Sequence, residues 1–100
     1  MKATVLGCGT SSGVPMIGCN CPVCRSPDPR NKRRRCSILI EALGRTILVD
    51  TGPDLRMQLL DADVQHIDAL IYTHAHADHV HGIDDIRALN NAMHRSIPAY

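Results

Sequence analysis

Thr73-His74-Ala75-His76-Ala77-Asp78-His79 puts three imidazoles and one carboxylate into the six residues from His74 to His79. It follows directly on Ile67-Asp-Ala-Leu-Ile-Tyr72, an apolar run that reads as a strand. In an extended segment His74 and His76 project to the same side and can grip one metal ion together. Asp78 and His79 come where the chain turns into a helix; they should point elsewhere and hold a second ion. Neutral imidazole and carboxylate suit Zn²⁺, with Mn²⁺ or Fe²⁺ also compatible. Two ions about 3.5–4 Å apart can share a bridging hydroxide, a nucleophile at neutral pH that needs no nucleophilic side chain. A solvated histidine-rich loop or a polyhistidine tag would neither contain Asp78 nor follow an apolar strand.

Working outward, Ile86, Leu89 and Met93 have helical spacing, so a helix is expected from near His79 or His81 through Met93. Upstream, Thr51-Gly52-Pro53-Asp54 is a turn, and Pro53 suits the start of a helix over Leu55 to Leu60. Ser37 to Glu41 and Thr46 to Asp50 are apolar strands joined by a hairpin at Ala42-Leu43-Gly44-Arg45, and Ala3 to Leu6 is a short first strand. Gly7 to Gly18 is a Gly/Ser/Thr/Pro loop, and Cys19 to Arg35 continues it with a basic end. The order strands, helix, strand, helix gives an α/β layer, with the polar cluster at the carboxyl end of a strand. Asp50 closes its strand beside Thr51-Gly52, where a turn-starting aspartate is equally ordinary.

The 100 residues suffice for one domain and one core. With two Tyr and no Phe or Trp, that core is aliphatic, and a base-stacking surface for single-stranded nucleic acid is disfavoured. The formal charge of +1 gives no global sign for a nucleic-acid or membrane partner, although five of the basic residues crowd into Arg30-Asn-Lys-Arg-Arg-Arg35. That run is either a solvated loop end or a rim that attracts a phosphate-bearing substrate or RNA, with Arg35 the member nearest a strand. No stretch could span a bilayer. The apolar run before Cys8 is too short for a lipoprotein signal, so a cytoplasmic location without membrane association is expected.

Cys19-Asn-Cys21-Pro-Val-Cys24 packs three thiols too tightly to pair among themselves without strain. In a reducing compartment such a cluster reads as a metal site, thiolates holding Zn²⁺ in closed tetrahedral sites; free core thiols or a redox site are the alternatives. Cys8 reads as a small buried hydrophobe. His66, His81 and His94 read as surface residues.

The His-x-His-x-Asp-His pattern of residues 74–79 resembles that of the metallo-β-lactamase superfamily, and Thr46-Ile-Leu-Val-Asp50 resembles its first motif. The resemblance implies the N-terminal half of an αββα sandwich. In this reading residues 1–100 form the N-terminal part of a single domain, with a cysteine-rich loop at 18–36 and the rest beyond Tyr100. It also implies that His74, His76, Asp78 and His79 bind two divalent ions (Zn or Mn), that Asp78 counts as the catalytic residue of the set, and that Asp50 supports the metal loop by accepting hydrogen bonds. The third histidine of the first site, a bridging aspartate and a last histidine would follow Tyr100.

Gly7-x-Gly9-x₃-Gly13-Val14-Pro15-x₂-Gly18-Cys19-x-Cys21-x₂-Cys24, with Arg35-Cys36-Ser37 after it, is similar to the phosphonate-pathway phosphodiesterases that open phosphoribosyl 1,2-cyclic phosphate. That likeness implies a structural zinc on Cys19, Cys21 and Cys24 and assigns no role to Cys36. The expected function is a metal-dependent hydrolase of a small phosphodiester such as a cyclic ribose phosphate, inactive in the isolated 100-residue chain and possible as a homodimer. A tRNA 3′-processing nuclease with RNA as partner, and a non-catalytic metal-binding biosynthetic accessory protein, are the alternatives.

Overall fold

In the computed structural model, which describes residues 1–100, the hairpin is the organising unit. Strands β2 (Ser37–Ala42) and β3 (Arg45–Val49) pair antiparallel from Ala42↔Arg45 to Ile38↔Val49. Leu43 and Gly44 turn the chain with φ of 51° and 71°. Two successive positive φ values are the type I′ geometry whose twist matches a tight hairpin. Strand β1 (Lys2–Gly7) adds antiparallel to the outer side of β2. Helix α1 (Leu55–Asp61) then carries the chain over the sheet, so that β4 (Ala69–Ile71) returns parallel to β3. The sheet order is β1-β2-β3-β4. Ala99 bridges Leu70 in parallel, and Tyr72 N–H donates to Tyr100 O at 2.8 Å, so the last residues extend the ladder beyond β4.

Alternation assigns the two faces. Leu39, Leu48 and Leu70 point to one side and bury against Leu55, Leu59, Ile67 and Ile86, with Leu48, Leu55 and Ile67 fully enclosed. The other side carries two registered rows, Val5–Ile38–Val49–Ile71 and Ala3–Ile40–Ile47–Ala69. Val5, Ile38 and Ile71 are exposed there. The layer is thus the α/β half-sandwich expected from sequence, with helices on one face only. No helix is long and apolar enough to cross a membrane.

Two expectations are corrected. The helix foreseen from His79 or His81 to Met93 is broken into α2 (Ala77–Val80), a 3₁₀ turn at Ile83–Asp85, and α3 (Ile86–Met93). Gly82 causes the break: its N–H donates to Thr51 O at 2.8 Å, and its Cα lies so close to the Gly52 carbonyl that no Cβ would fit. Tertiary contact here overrides helical periodicity. Cys8 is exposed rather than buried, because it lies past the end of β1, with its sulfur 3.7 Å from Arg33 Nη1. His66, His81 and His94 are exposed, as expected.

Asp68 fastens the start of β4. It accepts from the Thr46 amide (2.8 Å), Arg95 Nη2 (3.0 Å), Arg45 Nη1 (3.3 Å) and His66 Nε2 (3.2 Å). The Thr46 amide, Arg95, Arg45 and His66 together outweigh desolvation and hold its carboxyl far below the usual aspartate range.

Leu48→Ala removes a fully buried side chain and should lower unfolding free energy by about 2–5 kcal/mol in a denaturant titration. A loss under ~0.5 kcal/mol, the range of ordinary surface substitutions, would place Leu48 outside the core. For Asp68, the lowered folded-state value means its stabilisation is complete above the ordinary aspartate pKa of about 3.9 and is lost as pH falls below it. Asp68→Asn should therefore lower the melting temperature at neutral pH and flatten the decline below pH ~4. Parallel acid limbs for variant and parent would contradict the assignment.

Candidate metal centre

The site grows from the carboxyl ends of β3 and β4, which lie side by side. Asp50 leaves β3 in the left-handed region, with φ 62°, and its side chain is buried. Asp is one of the few non-glycine residues that enters this region readily. Asp50 N–H donates to Ile71 O at 2.9 Å, turning the carboxylate toward the loop after β4. There Oδ1 accepts from Thr73 N–H (2.9 Å), and Oδ2 accepts from Thr73 Oγ1 (2.8 Å) and His79 Nδ1 (2.7 Å). Burial opposes ionisation of Asp50. The Thr73 amide, His79 and the Thr73 hydroxyl prevail and keep the carboxyl below its usual range.

This arrangement fixes the imidazoles. An ionised Asp50 accepts only, so His79 Nδ1 carries a proton, and the neutral form of the ring presents its lone pair on Nε2. Thr73 Oγ1 spends its proton on Asp50 and lies 3.0 Å from His74 Nδ1, where it accepts, so His74 Nε2 is also turned out as a lone pair.

The donors form two pairs. His74 Nε2 and His76 Nδ1 are 3.1 Å apart, and Asp78 Oδ2 and His79 Nε2 are 3.2 Å apart. Two ligands on one tetrahedral Zn²⁺ with bonds near 2.05 Å are separated by about 3.3 Å. Each pair therefore has a separation that two ligands of one divalent ion could adopt, which is also that of an ordinary hydrogen bond or ion pair. The pairs are closer together than alternation alone implies: the His79 ring does not turn away but lies 4.1 Å from the His74 ring, centroid to centroid. His74 and His76 are exposed, whereas Asp78 and His79 are half-buried.

Sequence reasoning missed the clamp behind the loop. Thr51 N–H donates to His79 O at 2.8 Å, and Thr51 Oγ1 meets the Tyr72 hydroxyl at 2.8 Å. A Cβ on Gly52 would overlap Asp78 O. The available signal was Gly82, a glycine interrupting an apparent helix.

The cysteine loop brings a second group of possible ligands together. The sulfurs of Cys19, Cys21 and Cys24 all lie within 4.8 Å of one another. Tetrahedral thiolates on zinc lie about 3.8 Å apart, so small adjustments would close the group on an ion. The Cys24 amide donates to Cys21 Sγ at 3.4 Å; with the Cys19 and Cys24 thiols it brings Cys21 down to about 7. The Cys21 amide favours the Cys19 thiolate, but the neighbouring Cys24 and Cys21 thiols outweigh it and raise Cys19. Cys36 is turned away and donates to Gly9 O at 3.2 Å.

Comparison with known proteins places these features in a wider group. The beta-lactamase superfamily domain matches residues 45–100, which include Asp50 and the whole histidine loop. An octanoyltransferase of Porphyromonas gingivalis is 48% identical over 101 residues, an alignment that takes in all of this chain and 20% of that protein. The crystal structure of a diphosphatase from the PhnP family superposes with a TM-score of 0.92 at 48% identity, over 98% of this chain and 40% of its own. Zn²⁺-bound PqqB from Methylobacterium extorquens superposes with a TM-score of 0.82 at 25% identity, over 100% of this chain and 36% of its own. The chain therefore spans between a fifth and two-fifths of the length of these relatives.

The carboxylate of Asp50 can be tested apart from its backbone geometry. Asp50→Asn keeps a side chain that tolerates positive φ but no longer dictates the His79 tautomer. Mn²⁺ affinity, measured by titration calorimetry because thiolates prefer zinc, should fall by about 10–100-fold in a protein that still folds. Unchanged affinity would remove Asp50 from the support of the loop.

Proposed function

The chain belongs to the beta-lactamase superfamily, and from that membership we propose that it supplies the metal-binding half of a hydrolase that cleaves a small phosphodiester. The observation that carries this reading is the pair of donor sets, His74/His76 and Asp78/His79, each at a separation that two ligands of one divalent ion could adopt. In this reading His74 and His76 hold the first ion, and Asp78 and His79 the second. Cys19, Cys21 and Cys24 hold a structural zinc, and further ligands come from a longer protein of the kind that the relatives represent.

When bound, the ions supply Lewis acidity, lowering the pKa of water toward neutrality and polarising a phosphoryl oxygen. The chain's own residues do the rest. Asp50 keeps the proton of His79 on Nδ1, and Thr73 relays the same constraint to His74. Thr51, Gly52 and Gly82 press the backbone of the loop against the sheet, so the donors are positioned before an ion arrives. Such positioning carries no reorganisation cost at the moment of reaction.

Likeness to a diphosphatase supports phosphorus rather than carbonyl carbon as the centre attacked. The name octanoyltransferase describes a protein of which one fifth aligns here, and a donor set suited to activating water gives acyl transfer no support. The PqqB likeness keeps a biosynthetic accessory role as the second reading, because that protein shares the fold and binds zinc.

The test is a side-by-side assay of the intact protein, loaded with Zn²⁺ or Mn²⁺, against a chromogenic phosphodiester, a cyclic ribose phosphate and a chromogenic cephalosporin. Phosphodiester turnover should dominate. His76→Ala/Asp78→Ala should reduce kcat/KM by roughly 10³-fold or more, several kcal/mol of lost transition-state stabilisation. Cephalosporin cleavage without phosphodiester turnover would overturn the reading. An inert, zinc-replete protein would favour the accessory role.

A further inference from the structure

An open groove of about 750 Å³ lies outside the metal loop, between the end of β1, the loop at 12–15 and the segment 29–35. No histidine and none of the three clustered cysteines lines it. Its wall carries Arg30, Lys32, Arg33, Arg34 and Arg35 against two carboxylates, Asp54 and Asp61.

The pairing within this wall is uneven. Arg30 is neutralised by Asp28 at 2.8 Å, and Arg34 by Asp61 at 2.7 Å. Asp54 spends Oδ2 on the Arg35 amide at 2.9 Å and lies 3.7 Å from Arg35 Nε, a buried donor with no hydrogen-bond partner. Lys32 and Arg33 have no carboxylate. Lys32 Nζ donates to Ser26 O and Arg33 Nε to Arg30 O, each at 3.0 Å. Carbonyl oxygens orient these cations without cancelling their charge.

Backbone bonds fix the segment that carries these cations. Val14 and Arg33 exchange both amide bonds, at 2.9 and 2.8 Å, and Gly9 N–H donates to Arg34 O at 2.7 Å. Gly9 packs against the Arg33 and Arg34 carbonyls too closely for any side chain. A fixed wall with a surplus of positive charge carries self-repulsion, which a bound anion relieves.

We propose that this groove is a second, metal-independent binding site for a small phosphorylated molecule, with a phosphate held by Lys32 and Arg33. Only four of its sixteen lining residues are hydrophobic, which suits a charged ligand of sugar-phosphate or nucleotide size. A single-stranded RNA is disfavoured, because neither tyrosine of the chain lines the groove to stack a base.

The experiment titrates pyrophosphate and ribose 5-phosphate calorimetrically into the intact protein carrying His76→Ala/Asp78→Ala, which removes one donor from each pair that could bind phosphate through a metal. Saturable one-site binding is expected. Lys32→Gln/Arg33→Gln on that background should weaken it at least tenfold. Ser12→Glu adds a carboxylate to the wall without touching the arginine contacts; it should do the same and carries the test if the double variant fails to fold. Absence of binding, or affinity unchanged by folded wall variants, overturns the proposal. So does binding seen with the parent protein but lost in His76→Ala/Asp78→Ala, which would put the phosphate on the metal loop. A single-stranded RNA oligomer that binds while both small anions do not would also overturn it. None of these failures touches the hydrolase reading, which is tested by turnover.

Discussion

The carboxylate of Asp50 is the point through which the ends of two strands and a helix are coupled. It sits 4% exposed at the end of β3, accepts from the amide and hydroxyl of Thr73 after β4, and accepts from His79 in α2. A buried charge of this kind survives only because each bond returns part of its desolvation cost. The same bonds make it hard to replace, since a neutral apolar residue would strand three donors. Its positive φ is a local cost of bringing the carboxylate to the loop, a form of strain that surrounding contacts must over-determine.

Those contacts come from glycine. Gly52 approaches Asp78 O, and Gly82 approaches Gly52 O, at distances that exclude a Cβ. Residues 50–52, 73–79 and 82 therefore meet backbone to backbone. The side chains that result are ordered from behind, while His74 and His76 remain open in front. This combination of a fixed rear and an accessible face is what a metal-binding loop needs.

The features legible in sequence are those whose cause is local. The spacing of His74, His76, Asp78 and His79 implies two donor pairs without knowledge of the fold. The Leu43-Gly44 turn announces its hairpin, and Cys19, Cys21 and Cys24 are close in space because they are close in the chain. What escaped depends on remote partners. Helical periodicity at Ile86, Leu89 and Met93 is real, but it could not reveal that Gly82 would exchange its helical bond for one to Thr51. Cys8 follows an apolar strand, yet whether it is buried depends on where β1 ends relative to the arginine segment. Thr73 carries no signal of its own beside the histidines; its role comes from Asp50, 23 positions away.

The two-sided sheet has a further consequence. A strand with one polar face is kept in register because a shift of one residue would turn its apolar set toward water. Here each face of β2 and β3 carries apolar residues, Leu39 and Leu48 on one and Ile38, Ile40, Ile47 and Val49 on the other, so hydrophobicity penalises such a slip less. Alignment must come from polar pins at the strand ends. Ser37 Oγ donates to Val49 O at 3.1 Å and Asp50 O at 3.0 Å, and the Thr46 amide engages Asp68. Polar groups that contribute modestly to stability thereby select one pairing from several of similar energy. A chain that lost Ser37 and Asp68 together could keep its strands and its burial, yet deliver Asp50 one position from Thr73.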